Sequence, residues 1–347
     1  MRLGIVVLCL LLFFTHPLCT TGLWWAVGNT LTFDQNRICR KAKRLSGKQQ
    51  DLCKKEPEII EAALLGSKEH GLGECRHQMK LRKWNCTTKS LGRVLLQDTR
   101  ETAFANAITS AGVTFQITSA CSAGSLLQCG CDNSSNSIIQ QTKNATWLWG
   151  GCGDNVHFGY IKSIEFIDTQ EKRRSDIKSL ITQHNNEAGR LAVKLHMRKE
   201  CKCHGLSGTC TLKTCWKRMP NFRDVGNRLK ELFNGAIKVT GANNGKTLLP
   251  INPTIKAPTV TDLVYSVESP NFCEPDRKVG SIGTAGRVCN STSEGVEGCQ
   301  IMCCNRGFTD EIMNRTYHCR CRFKWCCVVE CDICTKNVTI SRCNGYS

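Results

Sequence analysis

The densest chemical cluster in the chain is Cys201-Lys202-Cys203-His204-Gly205-Leu206-Ser207-Gly208-Thr209-Cys210, with Cys215 close behind. Three chemistries are open to it. A serine nucleophile would want the Gly-x-Ser-x-Gly elbow, but Thr209 stands where the second glycine belongs. His204 is near in sequence, yet a short loop offers Ser207 no buried acid and no oxyanion hole. Zinc would accept Cys201, Cys203, His204 and Cys210 as ligand types. The third chemistry is covalent modification, because Gly205 and Gly208 strip steric cover from the Ser207 hydroxyl. Elsewhere, Cys331-Asp332-Ile333-Cys334 has the C-x-x-C spacing of a redox pair.

The compartment decides among these. Arg2 supplies a basic n-region, Leu3–Phe14 an apolar h-region and Thr15–Gly22 a small-residue c-region. Residues 1–22 therefore read as a secretory signal peptide cut near Leu23. That run is too short to span a membrane, and no later stretch approaches about 20 apolar residues. Of 26 cysteines, Cys9 and Cys19 leave with the signal, and the remaining 24 are an even number in an oxidising compartment. This predicts a disulfide framework rather than metal ligands or redox thiols. Neither catalysis nor a metal is expected. Sequons at Asn85, Asn133, Asn144, Asn290, Asn314 and Asn337 agree with export. The net charge of +18 points to sulfated glycosaminoglycans or anionic membrane surfaces, since an exported chain does not meet nucleic acid. Basic clusters stand at Arg37–Arg44, Lys80–Lys83, Lys172–Arg174 and Arg198–Lys202.

Two hairpins would position the chemistry. Cys201 and Cys203 are two apart, so a strand puts both on one face. If the chain turns back through Gly205–Gly208, nested bridges Cys203–Cys210 and Cys201–Cys215 hold Ser207 out at the tip. The position sums of these pairs, 413 and 416, differ by three, which predicts an irregular ladder near Cys215. In the tail, the sums for Cys319/Cys334, Cys321/Cys331 and Cys326/Cys327 are 653, 652 and 653. This is one long hairpin with two rungs and an adjacent pair, Cys326 and Cys327, open to a vicinal bridge at its tip. Phe323, Trp325, Val328 and Val329 surround that tip with no core to enter, and so form a contact surface.

The supporting elements are mostly helical from about Asn29 to Lys199. Pro57 suits a first helical position before the stripe Ile59, Ile60, Ala63 and Leu64. Leu91–Phe115 reads as a buried helix. Ile161–Met197 reads as one long amphipathic helix, or two with a break near Gly189. Early bridges join near neighbours, as in Cys39–Cys53, Cys75–Cys86, Cys121–Cys129 and Cys131–Cys152, although spacing alone leaves other pairings open. Trp147-Leu148-Trp149-Gly150-Gly151-Cys152 reads as rings packed over a tight backbone approach. Arg228–Val239 reads as a short helix. Residues 241–272 carry prolines at 250, 253, 258 and 270 and no cysteine, and read as a linker. Twelve cysteines follow from Cys273, where crosslinks must stand in for an apolar core. The expected fold is disulfide-rich α+β: a helical N-terminal domain (23–240, including a 201–215 hairpin), the linker, and a small cystine-rich domain (273–347, including a 319–334 hairpin).

The chain resembles the Wnt family of secreted, lipid-modified signalling proteins across nearly its whole mature length. Matching stretches are Glu74-Cys75-Arg76-His77-Gln78, Trp84-Asn85-Cys86, Cys121-Ser122-Ala123-Gly124, Trp149-Gly150-Gly151-Cys152 and His184-Asn185-Asn186-Glu187-Ala188-Gly189-Arg190. Cys201–Cys215, Gly286-Arg287-Val288-Cys289-Asn290, Cys303-Cys304-Asn305-Arg306-Gly307 and Cys319–Cys334 continue the match. Within the family the resemblance leans toward the Wnt-sixteen subgroup. It implies that Ser207 carries a palmitoleoyl ester attached by the acyltransferase Porcupine. It further implies that His204, Gly205, Leu206, Ser207, Gly208 and Thr209 form a "thumb" whose lipid enters the cysteine-rich domain of Frizzled receptors. Phe323, Lys324, Trp325, Cys326, Cys327, Val328 and Val329 would form an "index finger" gripping the opposite side of that domain. Bridges Cys273–Cys304, Cys289–Cys299 and Cys303–Cys343 are implied as well. So are a low-density-lipoprotein-receptor-related co-receptor or Ror/Ryk, the Wntless export carrier, heparan sulfate proteoglycans, and a lipid-tethered place in the extracellular matrix. Departures from the family pattern are Met79 for Phe, Gly153 for Ser, Lys324 beside Trp325, and Val328-Val329 for a commoner aromatic-containing pair. The last two are expected to bias which Frizzled is preferred. The readings that compete are a cystine-rich hydrolase with Ser207 as nucleophile and a purely matrix-binding protein.

Overall fold

The computed structural model describes residues 45, 47–87, 94–132, 139–142, 145–169, 176–210, 213–242, 245, 247–325 and 327–346. The signal reading, Cys39 and the basic clusters Arg37–Arg44 and Lys172–Arg174 lie outside these. The chain divides into two compact units, Met1–Cys75 with Leu91–Ser269, and Arg76–Ser90 with Pro270–Ser347.

In the first unit, Pro57 opens a helix as expected. Helices α1 (Gly47–Lys55) and α2 (Pro57–Leu65) follow one another, and α2 buries Ile59, Ile60, Ala63 and Leu64. The centre is α3 (Arg100–Ser122), capped by Thr99 and buried on nearly every side. It begins nine residues after the predicted Leu91, because Thr99 accepts the Thr102 amide and so sets the start. Against α3 pack α2, α4 (Val156–Ile167), α5 (Ile177–Lys194) and α6 (Phe222–Asn234). Small residues let them approach closely: a Cβ on Gly189 would overlap the carbonyl oxygen of Ala107. Gly189 is thus a helix-crossing point and not the predicted break. The break falls between Ile167 and Ile177, where Asp176 caps α5 by accepting the Ser179 amide at 2.8 Å.

The His-Asn-Asn-Glu-Ala-Gly-Arg run of α5 is a fastening device. Arg190, almost wholly buried, bonds Asp168 through both terminal nitrogens (3.3 and 2.8 Å) and Glu187 through Nε at 3.0 Å. Asn186 donates to the same Asp168 at 3.0 Å. Tyr160 donates to Glu187, and burial together with that bond pushes its phenol up to about 12. Asn185 grips Val264 in both directions, donating to its carbonyl and accepting its amide. His184 bonds the Asp262 carbonyl at 3.0 Å.

Those last two bonds correct the linker reading. Through Ser269 the stretch belongs to the first unit. The predicted helix Arg228–Val239 is α6 as far as Asn234. A three-stranded sheet follows, with β5 (Ile237–Gly241) between β6 (Leu248–Pro250) and β7 (Val264–Tyr265). Ile181, Val239 and Val264 form a buried cluster beneath it. Proline excludes helix here but is tolerated on the edge strand β6, where Pro250 sits.

The second unit has sulfur for a core. Cys289, Cys299, Cys303, Cys343 and Met302 form its buried cluster, with Leu81 packed against it. Bridges Cys273–Cys304, Cys289–Cys299 and Cys303–Cys343 are all present. The 76–90 segment, assigned from sequence to the N-terminal domain, belongs to this unit. Arg287 donates to the carbonyls of Lys80, Arg82 and Lys83, and burial lowers its pKa. A single arginine saturating three carbonyls has no periodic signature in the sequence.

Two outcomes are expected. Arg190→Met leaves Asp168 buried without its cation and should cost about 3–5 kcal/mol, read as a lower unfolding midpoint and secreted yield. Burial lowers the His184 pKa below the ordinary histidine value. The unfolded chain therefore takes up that proton first, and stability should fall as pH drops below about 6.5. His184→Gln should flatten that part of a stability–pH profile.

Candidate functional site

The first hairpin pairs β3 (Arg198–Cys203) with β4 (Lys213–Arg218), antiparallel and in constant register from Arg198↔Arg218 to Cys203↔Lys213. Both predicted bridges, Cys201–Cys215 and Cys203–Cys210, are formed. The ladder is regular at Cys215, against expectation. The offset of three lies at the tip, because the inner bridge ties strand residue Cys203 to loop residue Cys210. The base is anchored by a pairing that spacing gave no means to foresee. Strand β2 (Ala145–Trp149) runs parallel to β4, and with β1 (Ile139–Thr142) completes a sheet of order β1-β2-β4-β3. Gly150 and Gly151 follow, and the Trp216 ring lies 3.6 Å from where a Gly151 Cβ would be. A ring does lie against this glycine pair, but it is that of Trp216 on β4, which the reading of the run did not name; the side chain of Trp147 lies outside the described residues. Asp154 locks the base to the end of α3, accepting Ser122 Oγ at 2.7 Å and the Met219 amide at 2.8 Å. Bridges Cys121–Cys129 and Cys131–Cys152 stand nearby in sequence. Cys53, Cys75 and Cys86 are each disulfide-bonded too.

At the tip, Gly205 and Thr209 close the loop with a 2.8 Å backbone bond. Ser207 is exposed and left-handed (φ 54°), followed by left-handed Gly208 (φ 76°), beside which a Cβ would meet nothing within 4 Å. A non-glycine residue in that region costs about 1 kcal/mol or more, which the two staples hold in place. Leu206 is 92% exposed beside it. Among the described residues the Ser207 hydroxyl has no side-chain partner. His204 turns to Thr214 Oγ1 at 2.8 Å, so among the described residues no base is poised on the serine. The sulfurs that zinc would need are spent in bridges. What the tip can do chemically is present one accessible hydroxyl at a fixed place.

The second hairpin pairs β8 (Phe308–Lys324) with β9 (Val328–Cys343), which extends well below the predicted 319–334 rungs. Cys319–Cys334 and Cys321–Cys331 are bridged. The register shifts between Cys319 and Arg322, where Arg320 is left-handed, so the first bridge is diagonal and not a direct rung. At the tip Trp325 is 94% exposed and Phe323 70%, with Val328 and Val329 exposed beside them. These side chains do not pack back on the strands. Lys324 pairs with Glu330 at 2.7 Å. Cys327 is an exposed unbridged cysteine, while Cys326, the other half of the vicinal pair, lies outside the described residues. Of the sequons, Asn290, Asn314 and Asn337 are exposed and Asn85 is half-buried, while Asn133 and Asn144 lie outside the described residues.

Known proteins share this plan. The model of the wnt family matches residues 41–344. Protein Wnt-6 of Mus musculus and of Homo sapiens are each 48% identical over 99% of this chain and 98% of their own length. Protein Wnt-2b-A of Xenopus laevis is 42% identical over 93% of the chain and 92% of its own length. None of the three is of the Wnt-sixteen subgroup, so the subgroup expectation finds no support in them. A solved structure described as human WLS in complex with WNT8A contains a chain 35% identical to this one, with a TM-score of 0.62, covering 82% of this chain and 93% of that one. A family match over almost the whole chain, relatives matched end to end, and the stapled hairpins make one conclusion: this chain belongs to the Wnt family of secreted signalling ligands, which are not enzymes.

Proposed function

We propose that this Wnt acts as a Frizzled ligand through a palmitoleoyl ester on Ser207. The observation that carries the reading is the Ser207 hydroxyl, exposed on a twice-stapled tip and without a side-chain partner among the described residues. A modifying enzyme such as Porcupine, and later a receptor groove, would each meet the same fixed geometry. Burying an acyl chain contributes about 0.8 kcal/mol per CH2, on the order of 10 kcal/mol gross, less whatever the lipid loses on leaving a carrier or membrane. Rigidity of the loop lowers the ordering cost of inserting it. Residues His204–Thr209 would then form the lipid-bearing contact, and Phe323–Val329 a second, apolar one.

The chain is read as riding the Wntless export carrier, as the solved relative in complex with WLS does. A low-density-lipoprotein-receptor-related co-receptor or Ror/Ryk would be recruited elsewhere on the ligand. The output is β-catenin stabilisation or a β-catenin-independent branch. Excess positive charge supports retention on heparan sulfate proteoglycans in the matrix, with the lipid adding membrane association.

Ser207→Ala should fold with its bridges intact yet neither load onto the carrier nor signal. Peptide mass analysis of the 201–215 loop should show the acyl adduct in wild type only. A fully active, unacylated variant would refute the reading. Trp325→Ala should weaken binding to an isolated Frizzled cysteine-rich domain about 30-fold, the loss of a central aromatic anchor worth about 2 kcal/mol. Retained affinity would remove the second hairpin from the interface.

A further inference from the structure

The middle of the second hairpin has two unlike faces. Residues directly opposite in a ladder share a face, and faces alternate along a strand. Tyr317 opposes Cys334, Arg315 opposes Lys336 and Met313 opposes Val338. That face carries the Cys319–Cys334 bridge, and Lys336 Nζ lies 5.5 Å from the centre of the Tyr317 ring. It is sulfur-bridged and cationic.

On the other face Asn314 stands directly opposite Asn337, flanked by Thr316↔Thr335 on one side and Ile312↔Thr339 on the other. Both asparagines begin complete sequons, Asn314-Arg315-Thr316 and Asn337-Val338-Thr339, and each sequon's threonine shares its asparagine's face. All four residues are exposed. On the same face Ile312 is 75% and Ile333 72% exposed.

We propose that Asn314 and Asn337 carry two N-linked glycans side by side on this face, which cover Ile312 and Ile333 and leave the cationic face bare. In each transfer the asparagine Nδ2 attacks the anomeric carbon of an oligosaccharide carried on a polyprenyl pyrophosphate. A carbon–nitrogen bond forms, the carbon–oxygen bond to phosphate breaks, one amide proton goes to a base of the transferase, and the lipid pyrophosphate leaves. Asn314 enters the secretory compartment first. The second transfer precedes closure of the ladder, because a sequon with a partner strand about 4.8 Å away cannot be enclosed by an enzyme.

Opposite Cβ atoms in such a ladder lie about 4.5–5.5 Å apart. Two glycans rooted that close hinder each other's trimming enzymes, and this separates paired sites from two independent ones. The inference needs passage through the secretory compartment but not acylation of Ser207, so the two proposals fail separately.

The test uses the full chain secreted from animal cells. After reduction, cyanogen bromide cleaves behind Met313 and releases 314–347 with both sites on one fragment. Mass analysis should find fragments bearing two glycans; finding only fragments with one or none overturns the pairing. In Asn337→Gln, the Asn314 glycan should shift toward processed forms, read as a fall in its mannose-rich share. A glycan found on the exposed Asn290 of the same molecules serves as the internal reference and should stay unchanged. Unchanged processing at Asn314 would show that the glycans do not crowd one another, and would overturn the side-by-side geometry.

Discussion

A hairpin that projects from a protein has no core beneath it, and a two-stranded ribbon alone in water is marginal at best. In this chain the shortage is met with sulfur. Cys201–Cys215 closes the first ribbon at its base and Cys203–Cys210 closes it again at the tip. Cys319–Cys334 and Cys321–Cys331 do the same near the tip of the second. Crosslinks act largely by restricting the unfolded chain, so they hold a shape without demanding apolar residues that would otherwise have to be hidden. The tips are thereby free to expose what a folded core would claim: Leu206, Ser207, Phe323 and Trp325.

Each unit solves the problem of anchoring its hairpin differently. In the first, the anchor is conventional burial: α3 is enclosed by helices, and Asp154 ties the strand base to its end. The Arg190–Asp168 pair then fixes α5 to the end of α4 inside that packing. A buried ion pair is weak evidence of stability by itself, but breaking one strands a charge. In the second unit the buried cluster is four cysteines and a methionine, and Arg287 gathers three backbone carbonyls to hold the 80–83 turn. Local chemistry replaces bulk there.

What could be read beforehand follows from the range of the interactions. Bridges between near neighbours leave a trace in position sums, so both pairs of staples were legible from spacing, as was the Pro57 helix start. The other three bridges of the second unit were not; they came only through resemblance, since pairs that are not nested about one turn share no common position sum. The parallel β2–β4 pairing, the β5-β6-β7 sheet inside the supposed linker and the placement of residues 76–90 all depend on contacts between distant segments. Gly189 shows the opposite failure. Its local meaning, a break, was overridden by a helix crossing that needs a bare backbone. Among candidate site residues Ser207 was plain because glycine and cysteine frame it. The shared face of Asn314 and Asn337 became visible only with the register.

We propose that an acyl ester on Ser207 adds about 100-fold or more to the receptor affinity that the protein surface supplies alone. The direct measurement is equilibrium binding of the secreted protein to an isolated Frizzled cysteine-rich domain, before and after enzymatic hydrolysis of the ester with all bridges kept intact. The expected result is a fall of about 100-fold or more on hydrolysis, equivalent to about 3 kcal/mol of a gross lipid contribution several times larger. Equal affinity before and after would contradict it.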